Sequence, residues 1–228
     1  MSISILLRGH LFRKCSKETQ MDVYKNMIPH VIEPLKKESK DINVIIVSYN
    51  DENSVSFIGE IFKGYNYFYF KIPSKKSQAV CFVDALNVVL ENKLLENCEG
   101  LLILRSDLYF LQDIDYQRID RNKILFQWNL LHQKSNGEAP DQIQFIGGNL
   151  IEEFIKKTNE FRIDTIWKSS LHNLYNFCVH HFGKEKLSYL NYIADPEPNK
   201  DKCIIRGNPR PRSGKGNPLY NYSRYMKK

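Results

Sequence analysis

Short apolar runs recur along this chain, and longer stretches with a helical repeat separate them. Residues 3–7, 43–48 and 100–104 are almost wholly aliphatic, which is typical of strands that are buried on both faces. The aromatic run 65–72 ends at Pro73 and predicts a further strand. The first half of the chain therefore contains several predicted strands of similar character.

Helices are predicted in the intervals between these strands. Residues 17–37 and 77–95 repeat apolar side chains at spacings of three and four, and a shorter helix is expected over 54–62. The inward-facing stripes are Tyr24, Met27, Val31 and Leu35 in the first helix and Phe82, Leu86, Val89 and Leu90 in the second. Strands that alternate with amphipathic helices predict an α/β fold, with a mostly parallel, Rossmann-like central sheet and helices on both faces.

The residues that follow the predicted strands matter most for function, because ligands of such sheets bind beyond the carboxyl ends of the strands. Arg8 and Gly9 follow the first strand, and Arg105, Ser106 and Asp107 follow the strand near residue 104. Glycine allows a ligand to approach the backbone closely, and arginine binds phosphate. These residues are therefore predicted to line a ligand site.

The second half of the chain is less regular. Short strands are expected near 123–128, 142–146 and 187–193. Helices are expected from Asn149, as the capping residue, to about residue 157, and again over 166–182.

The C-terminal segment, residues 196–228, is rich in proline, glycine, lysine and arginine, and it predicts irregular chain appended to a folded domain over 1–195. The chain carries a net charge of +7, which favours anionic partners such as phosphorylated small molecules or nucleic acid. Arg206 and the basic residues after it are candidates to close over a diphosphate; nucleic-acid binding and a solvated tail are the alternatives.

Cysteine use and hydropathy exclude some classes of protein. The five cysteines include no CxxC pair, so we expect reduced thiols and no zinc site. No apolar run reaches the ~18 residues that a membrane span needs, and the N-terminal pattern does not match a signal peptide. The chain is therefore expected to lack a membrane span and to work in the cytoplasm.

Asp107 is the strongest candidate for chemistry, because an apolar strand delivers it to the ligand edge of the sheet. A carboxylate there suits Mg²⁺ or Mn²⁺ that also contacts phosphate oxygens. Arg105 would then clamp a phosphate or orient Asp107. The alternative is an aspartate that caps the next turn beside a salt-bridging arginine.

Asp141 lies in a polar loop before the predicted strand at 142–146. It is a candidate general base for an acceptor hydroxyl, or a hydrogen-bond partner of an acceptor sugar. Gly147 and Gly148 follow that strand and allow close approach of a ligand. A turn aspartate followed by a bulge is the alternative for this region.

The sequence lacks GxxxxGK[ST] and GxGxxG phosphate loops and the GxSxG elbow, which argues against P-loop ATPases, dinucleotide enzymes and α/β-hydrolases. Arg8 at the end of the first strand, a helix that begins near Gln78, the strand before Asp107 and the later Asp141 together resemble small GT-A-type glycosyltransferases. The nearest likeness is to the glycosyltransferase domains of large DNA viruses, and it spans roughly residues 1–195.

This resemblance implies a nucleotide-sugar-binding and catalytic domain, a nucleoside-diphosphate sugar as donor, and Mn²⁺ or Mg²⁺ as cofactor. The metal motif of the family is commonly Asp-x-Asp. Arg105 stands at the first of these positions, so only Asp107 matches. The resemblance also places Arg8 and Gln78 beside the nucleotide.

We therefore interpret the chain as a glycosyltransferase for hexosyl or deoxyhexosyl transfer to a carbohydrate or glycan acceptor, located in the host cytoplasm if it is viral. The expected roles are metal binding by Asp107, catalysis by Asp141, and donor binding by Arg8, Gly9, Gln78, Arg105 and Arg206. Nucleic acid is not an expected partner. Two alternatives remain: a non-catalytic nucleic-acid-binding protein that uses the basic tail, and an inactive glycosyltransferase-like domain.

Overall fold

The computed structural model describes residues 2–9, 17–38, 41–49, 55–73, 78–110, 113–126, 143–163, 171–190 and 204–206. The strands in these residues are β1 (Ser2–Gly9), β2 (Asp41–Tyr49), β3 (Asn66–Ile72), β4 (Cys98–Arg105), β5 (Leu108–Phe110), β6 (Ile124–Phe126), β7 (Ile143–Gly147), β8 (Leu187–Tyr189) and β9 (Ile204–Arg206).

The helices alternate with the strands in the first half of the chain, as the apolar pattern predicts. They are α1 (Lys17–Met27), α2 (Glu33–Glu38), α3 (Val55–Ile61), α4 (Gln78–Glu91), α5 (Ile151–Ile163) and α6 (Leu174–Phe182), with a π-helical segment at Ile28–Ile32. Single 3₁₀ turns occur at Tyr116–Arg118, Gly148–Leu150, Leu171–Asn173 and Lys184–Lys186. None of the helices among the described residues is long and apolar enough to cross a membrane.

Within the described residues, seven strands form one sheet in the order β3-β2-β1-β4-β7-β6-β8. The pairs β3–β2, β2–β1 and β1–β4 are parallel, and β7 runs antiparallel to both β4 and β6. The strand β8 pairs parallel with β6, so β7 is the one strand of this described sheet that runs against the rest. The predicted mostly parallel α/β sheet is confirmed, and β2, β1 and β4 lie side by side as their apolar sequences require.

Helices cover both faces of the sheet, because successive side chains of the central strands point to opposite sides. Leu6, Ile45 and Ile103 pack in the core formed with α4, α5 and α6. Leu7 and Ile46 pack in the other core, formed with α1, α2 and α3. The two cores explain why the central strands are continuous apolar runs: both of their faces are buried.

The helix predicted over residues 17–37 is continuous, but it is not α-helical throughout. Its middle is the π-helical segment, which contains Pro29. Proline has no backbone N–H and cannot donate the usual hydrogen bond of an α-helix, so the pattern of backbone hydrogen bonds changes at this point. The chain then returns to α-helix at Glu33.

Three local predictions were wrong. The bounds of α5 differ from those expected: Asn149 lies within the 3₁₀ turn before the helix and does not cap it, and the helix continues past residue 157 to Ile163. Leu90 was expected to face inward, but it is 39% exposed. The C-terminal segment was expected to hold no regular element, but Ile204–Arg206 forms β9, which pairs antiparallel with β5.

Candidate active site

The carboxyl ends of β1, β2 and β4 meet at one edge of the sheet. Arg8 near the end of β1 pairs in register with Arg105 at the end of β4 and with Val47 of β2. Tyr49 ends β2 two residues after Val47. The parallel sheet thus brings the two arginines to adjacent positions, as the sequence pattern predicts.

Asp107 is held by Arg105 through two hydrogen bonds. Arg105 donates from Nε to Oδ1 of Asp107 at 2.9 Å and from Nη2 to Oδ2 at 2.6 Å. The Arg105 side chain is 13% exposed and that of Asp107 is 31% exposed. This contact is the one expected if Arg105 orients Asp107, and equally the one expected of a purely structural ion pair. The donor-binding role of Arg105 and the metal-binding role of Asp107 stay predictions.

Arg8 lies beneath the surface of this edge. It is 1% exposed, and its guanidinium carbon lies 4.7 Å from the centroid of the Phe82 ring on α4. Burial raises the pKa of the Tyr49 phenol, while the positive charges of Arg8 and Arg105 oppose that rise. Both arginines therefore contribute positive potential at the same point, Arg8 from within the protein and Arg105 from nearer the surface.

Gly9 is needed for packing inside the protein. Its φ angle is +144°, and a Cβ atom at this position would lie 2.5 Å from Oγ of Ser106. The backbone N–H of Ser106 donates to the carbonyl oxygen of Arg8 at 2.9 Å, which fastens the turn after β4 to the end of β1. Gly9 was predicted to let a ligand approach the backbone, but the space where its Cβ would lie is taken up by the side chain of Ser106. The donor-binding role of Gly9 stays a prediction.

Gln78 is exposed and is the first residue of α4. It precedes Phe82, the residue that packs on Arg8, by one helical turn. The helix thus begins on the same side of the sheet as the Arg8 side chain. This position is compatible with the predicted contact to a nucleotide, which stays a prediction.

Arg206 ends β9, and its backbone pairs with that of Leu108, the residue directly after Asp107. The three described residues of the C-terminal segment therefore lie beside the strand that follows Asp107, although the side chain of Arg206 is outside the described residues. Asp141 also lies outside them. The strand that follows it starts at Ile143, which pairs with Leu104 one residue before Arg105.

Gly147 and Gly148 lie at the other end of the sheet. Gly147 pairs with Gly100 near the start of β4, because β7 is antiparallel to β4. A Cβ atom on Gly147 would meet the carbonyl oxygen of Arg121, and one on Gly148 would meet that of Cys98 at 2.6 Å. The expectation that this glycine pair admits a ligand was wrong, since the pair is packed against backbone away from the candidate site.

The described side chains fit a divalent cation that is shared with a substrate, but not one that the protein holds alone. Among the described residues, no group of three or more His, Cys, Asp or Glu side chains is placed to hold a metal ion. Asp107 is partly exposed, and Arg105 uses two of the about four lone-pair positions of an ionised carboxylate. A single carboxylate with substrate phosphates and water is a usual arrangement for Mg²⁺.

Two residues that the sequence did not single out hold the Asp107 segment from α1. Gln20 donates from Nε2 to the carbonyl oxygen of Ser106 at 2.8 Å. Asn26 both donates to and accepts from the backbone of Phe110. A signal for Gln20 exists, because it lies four residues before Tyr24 on the buried stripe of the helix, where an amide is unusual.

Comparisons with known proteins bear on the fold. No protein-family model matches this sequence, and no curated protein matches it either. Among solved structures, the galactosyltransferase LgtC in complex with donor and acceptor sugar analogs matches with a TM-score of 0.50 and 12% identity, over 83% of this chain and 73% of LgtC. The apo-form glycosyltransferase GlyE of Streptococcus pneumoniae TIGR4 matches with a TM-score of 0.53 and 13% identity, over 84% of this chain and 45% of GlyE.

A third match is a glycosyltransferase involved in the glycosylation of the major capsid of PBCV-1, with a TM-score of 0.49 and 13% identity over 82% of this chain and 81% of that one. The chain spans less than half of GlyE but most of LgtC. At these identities the matches to LgtC and GlyE establish the fold alone, which is that of GT-A-type glycosyltransferases. The predicted resemblance is thereby confirmed at the level of the fold.

Proposed function

We propose that this chain is a glycosyltransferase that moves a sugar from a nucleoside-diphosphate donor to a carbohydrate or glycan acceptor. The observation that carries the proposal is the Arg105–Asp107 pair beside Arg8, at the ligand edge of a GT-A-type sheet. The fold alone would support many activities, since folds host different functions. The charged residues at this edge supply the chemistry that transfer from a diphosphate needs.

The chemical demand is to stabilise negative charge that develops on the leaving nucleoside diphosphate. Fixed positive groups in a partly buried site do this at low reorganisation cost. Arg105 is held in place by its two bonds to Asp107, and Arg8 is fixed by its burial against Phe82. In our proposal Arg105 lies nearest the phosphates, and Arg8 raises the local potential from below.

Asp107 is the proposed ligand of Mn²⁺ or Mg²⁺, together with oxygens of the donor diphosphate. A bound cation of this kind stabilises charge on the leaving group as a Lewis acid. The guanidinium of Arg105 already neutralises much of the Asp107 charge, so the free protein should bind the cation weakly. We therefore expect the metal and the nucleoside diphosphate to bind together, each strengthening the other.

The remaining proposed roles rest on position in the fold. Asp141 would act as general base or as a contact of the acceptor hydroxyl, because the chain enters β7 at this edge through Ile143. Gly9 and Gln78 would border the nucleotide at the ends of β1 and the start of α4. Arg206 would contact the diphosphate from β9, which pairs with the strand after Asp107. The transferred sugar would be a hexose or a deoxyhexose.

The experiment is a thermal-shift screen of nucleotide sugars with different bases and sugars, each with Mn²⁺, with Mg²⁺ and with EDTA. A ligand of the folded state raises stability by RT ln(1 + [L]/Kd), so a matching donor should raise Tm and the metal should enlarge the shift. Mn²⁺ alone should give little shift. Transfer to a glycan acceptor is then measured with the donor that the screen identifies.

The outcomes separate the competing functions. A shift with donor but no transfer to any acceptor would indicate an inactive glycosyltransferase-like domain. No shift with any nucleotide sugar, together with salt-dependent binding of DNA or RNA, would contradict the proposal in favour of a nucleic-acid-binding protein.

A further inference from the structure

The short segment that carries Asp107 lies outside the seven-stranded sheet and is held by side-chain amides. Gln20 on α1 donates to the carbonyl oxygen of Ser106 at 2.8 Å. Further along the same helix, Asn26 donates from Nδ2 to the carbonyl oxygen of Phe110 at 3.0 Å and accepts from its backbone N–H at 2.7 Å. The two contacts bracket Asp107, one before it and one after it.

An asparagine side chain that both donates to and accepts from one residue copies the hydrogen bonding of a neighbouring strand. The strand β5 is only three residues long and pairs with β9, which comes from the far end of the chain. Asn26 therefore supplies β5 with a second neighbour that belongs to the main fold. Phe110 is itself buried, so its backbone groups need these partners.

The contact from Gln20 is more unusual. Gln20 is 2% exposed, and it lies on the buried face of α1 with Val23 and Tyr24. Placing an amide there costs free energy unless it is hydrogen-bonded. Its hydrogen bond to the carbonyl oxygen of Ser106 fixes the turn directly before Asp107. The N–H of Ser106 in turn donates to the backbone carbonyl oxygen of Arg8.

We propose that Gln20 and Asn26 are positioning residues that hold the Arg105–Asp107 pair in the orientation that the donor requires. This inference rests on the proposed function of the same site. Neither residue is placed to touch the donor; each acts through the backbone of the segment between Arg105 and Phe110. Loss of such supporting bonds typically reduces metal affinity or activity about 10–100-fold.

The test uses Gln20→Met, which keeps much of the side-chain volume and removes the donor, and Asn26→Ala, which removes both bonds to Phe110. Asn26→Asp removes only the donor half of the contact, because it keeps the acceptor for the N–H of Phe110 and places an oxygen against the carbonyl oxygen of Phe110. The readout is the factor by which Mn²⁺ tightens the donor Kd in each folded protein. We expect Gln20→Met, Asn26→Ala and Asn26→Asp each to reduce this factor by about tenfold or more.

Asn87→Ala is the matched control. Asn87 and Asn159 exchange side-chain hydrogen bonds of 2.9 and 3.1 Å between α4 and α5, so the variant also loses amide bonds between elements of the fold. We expect it to lower the urea midpoint and to leave the effect of Mn²⁺ on the donor Kd unchanged. If Gln20→Met and Asn26→Ala behave as Asn87→Ala does, the two residues are structural only and the inference is wrong.

A result in which the wild-type protein binds no nucleotide sugar would count against the proposed function, and the positioning role would fall with it. Amide hydrogen exchange then still decides whether the amides hold the segment. The N–H of Phe110 should exchange faster in Asn26→Ala and not in Asn87→Ala. Unchanged exchange in Asn26→Ala would overturn the structural basis of the inference independently of any activity.

Discussion

Arg105 binds both carboxylate oxygens of Asp107 across a single intervening residue, at 2.9 and 2.6 Å. Arg105 ends the buried strand β4, so its backbone is fixed by the sheet, and the turn through Ser106 brings Asp107 back to its guanidinium. The pair therefore places one partly exposed carboxylate at the ligand edge in a defined orientation.

Asp107→Asn keeps the size of the side chain and removes its charge. The residue is partly exposed, so the fold should persist, whereas transfer should fall by about 10²-fold or more, because a group that stabilises developing charge is lost. Rates measured with saturating donor and Mn²⁺ check this. Asp115→Asn and Asp120→Asn are the controls, since these aspartates accept backbone N–H bonds in local turns. Loss of activity in a control, with Asp107→Asn unaffected, would contradict the assignment.

Arg105→Lys keeps the positive charge and loses the paired geometry, because lysine cannot make two parallel bonds to a carboxylate. We expect the KM for the donor to rise by about tenfold, since one tenfold step corresponds to about 1.4 kcal/mol, the scale of one charged hydrogen bond. Arg121→Lys is a matched control, because Arg121 pairs with Glu99 near the start of β4, at the other end of that strand. An equal rise in KM for both variants would show that the effect is not local to the site.

Gly9→Ala should destabilise the protein by about 2–3 kcal/mol, because the backbone has φ +144° and the new Cβ would meet Oγ of Ser106. Adding Ser106→Ala removes the steric part of this destabilisation. The new Cβ of residue 9 would then lie 3.6 Å from the Cβ of residue 106, which is an ordinary contact. The double variant should therefore regain part of the lost stability and retain the backbone strain. Urea unfolding of both single variants and the double variant measures this coupling. Additive effects would contradict the packing role of Gly9.

The sequence predicts the centre of this fold well, because continuous apolar runs report burial on both faces of a strand. It therefore also predicts which residues follow the strands, and Arg8, Arg105 and Asp107 do meet at one edge. An apolar run does not report strand direction, however. Gly147 was expected near a ligand but lies at the opposite end, because β7 is antiparallel to β4.

The supporting contacts are harder to predict for a different reason. The strands β5 and β9 have three residues each, too few to show a periodic pattern, and they pair across a long separation in sequence. Asn26 gives no signal of its own, because an asparagine in a helix is usually solvent-exposed. Gln20 does break the apolar stripe of α1, and that break is the type of pattern from which a buried polar contact can be predicted.

Tyr65 should make the stability of the folded protein depend on pH in the alkaline range. Burial, reinforced by the hydrogen bond that the phenol donates to Glu33, raises the pKa of Tyr65 to about 12 from 10.0. The folded state therefore retains a proton that the unfolded state loses, so this contribution to stability is complete below pH 10 and is lost as the pH rises towards 12. Urea midpoints of wild type and Tyr65→Phe between pH 9 and about 12 test this. The difference in urea midpoint between wild type and Tyr65→Phe should become smaller as the pH rises. A difference that stays constant would contradict the prediction.

The C-terminal segment is predicted to contribute to donor binding in two separable ways. Its strand β9 pairs with β5 beside Asp107, and the basic residues after Arg206, among them Arg210, Arg212 and Lys215, follow directly in the sequence. A chain that ends at Arg206 keeps β9 and loses those charges. A chain that ends at residue 195 loses both.

The shorter deletion should raise the donor Kd by about tenfold, and less so at high salt, because exposed charges are screened. Amide exchange in β5 should stay unchanged in that variant and should become faster in the longer deletion, which removes the pairing partner of β5. Comparing the donor Kd and the amide exchange of the two shortened chains therefore separates the effect of the basic residues from the effect of the pairing between β9 and β5. If the shorter deletion leaves the donor Kd unchanged but abolishes salt-dependent binding of RNA or DNA, the basic residues serve a nucleic-acid partner and not the donor.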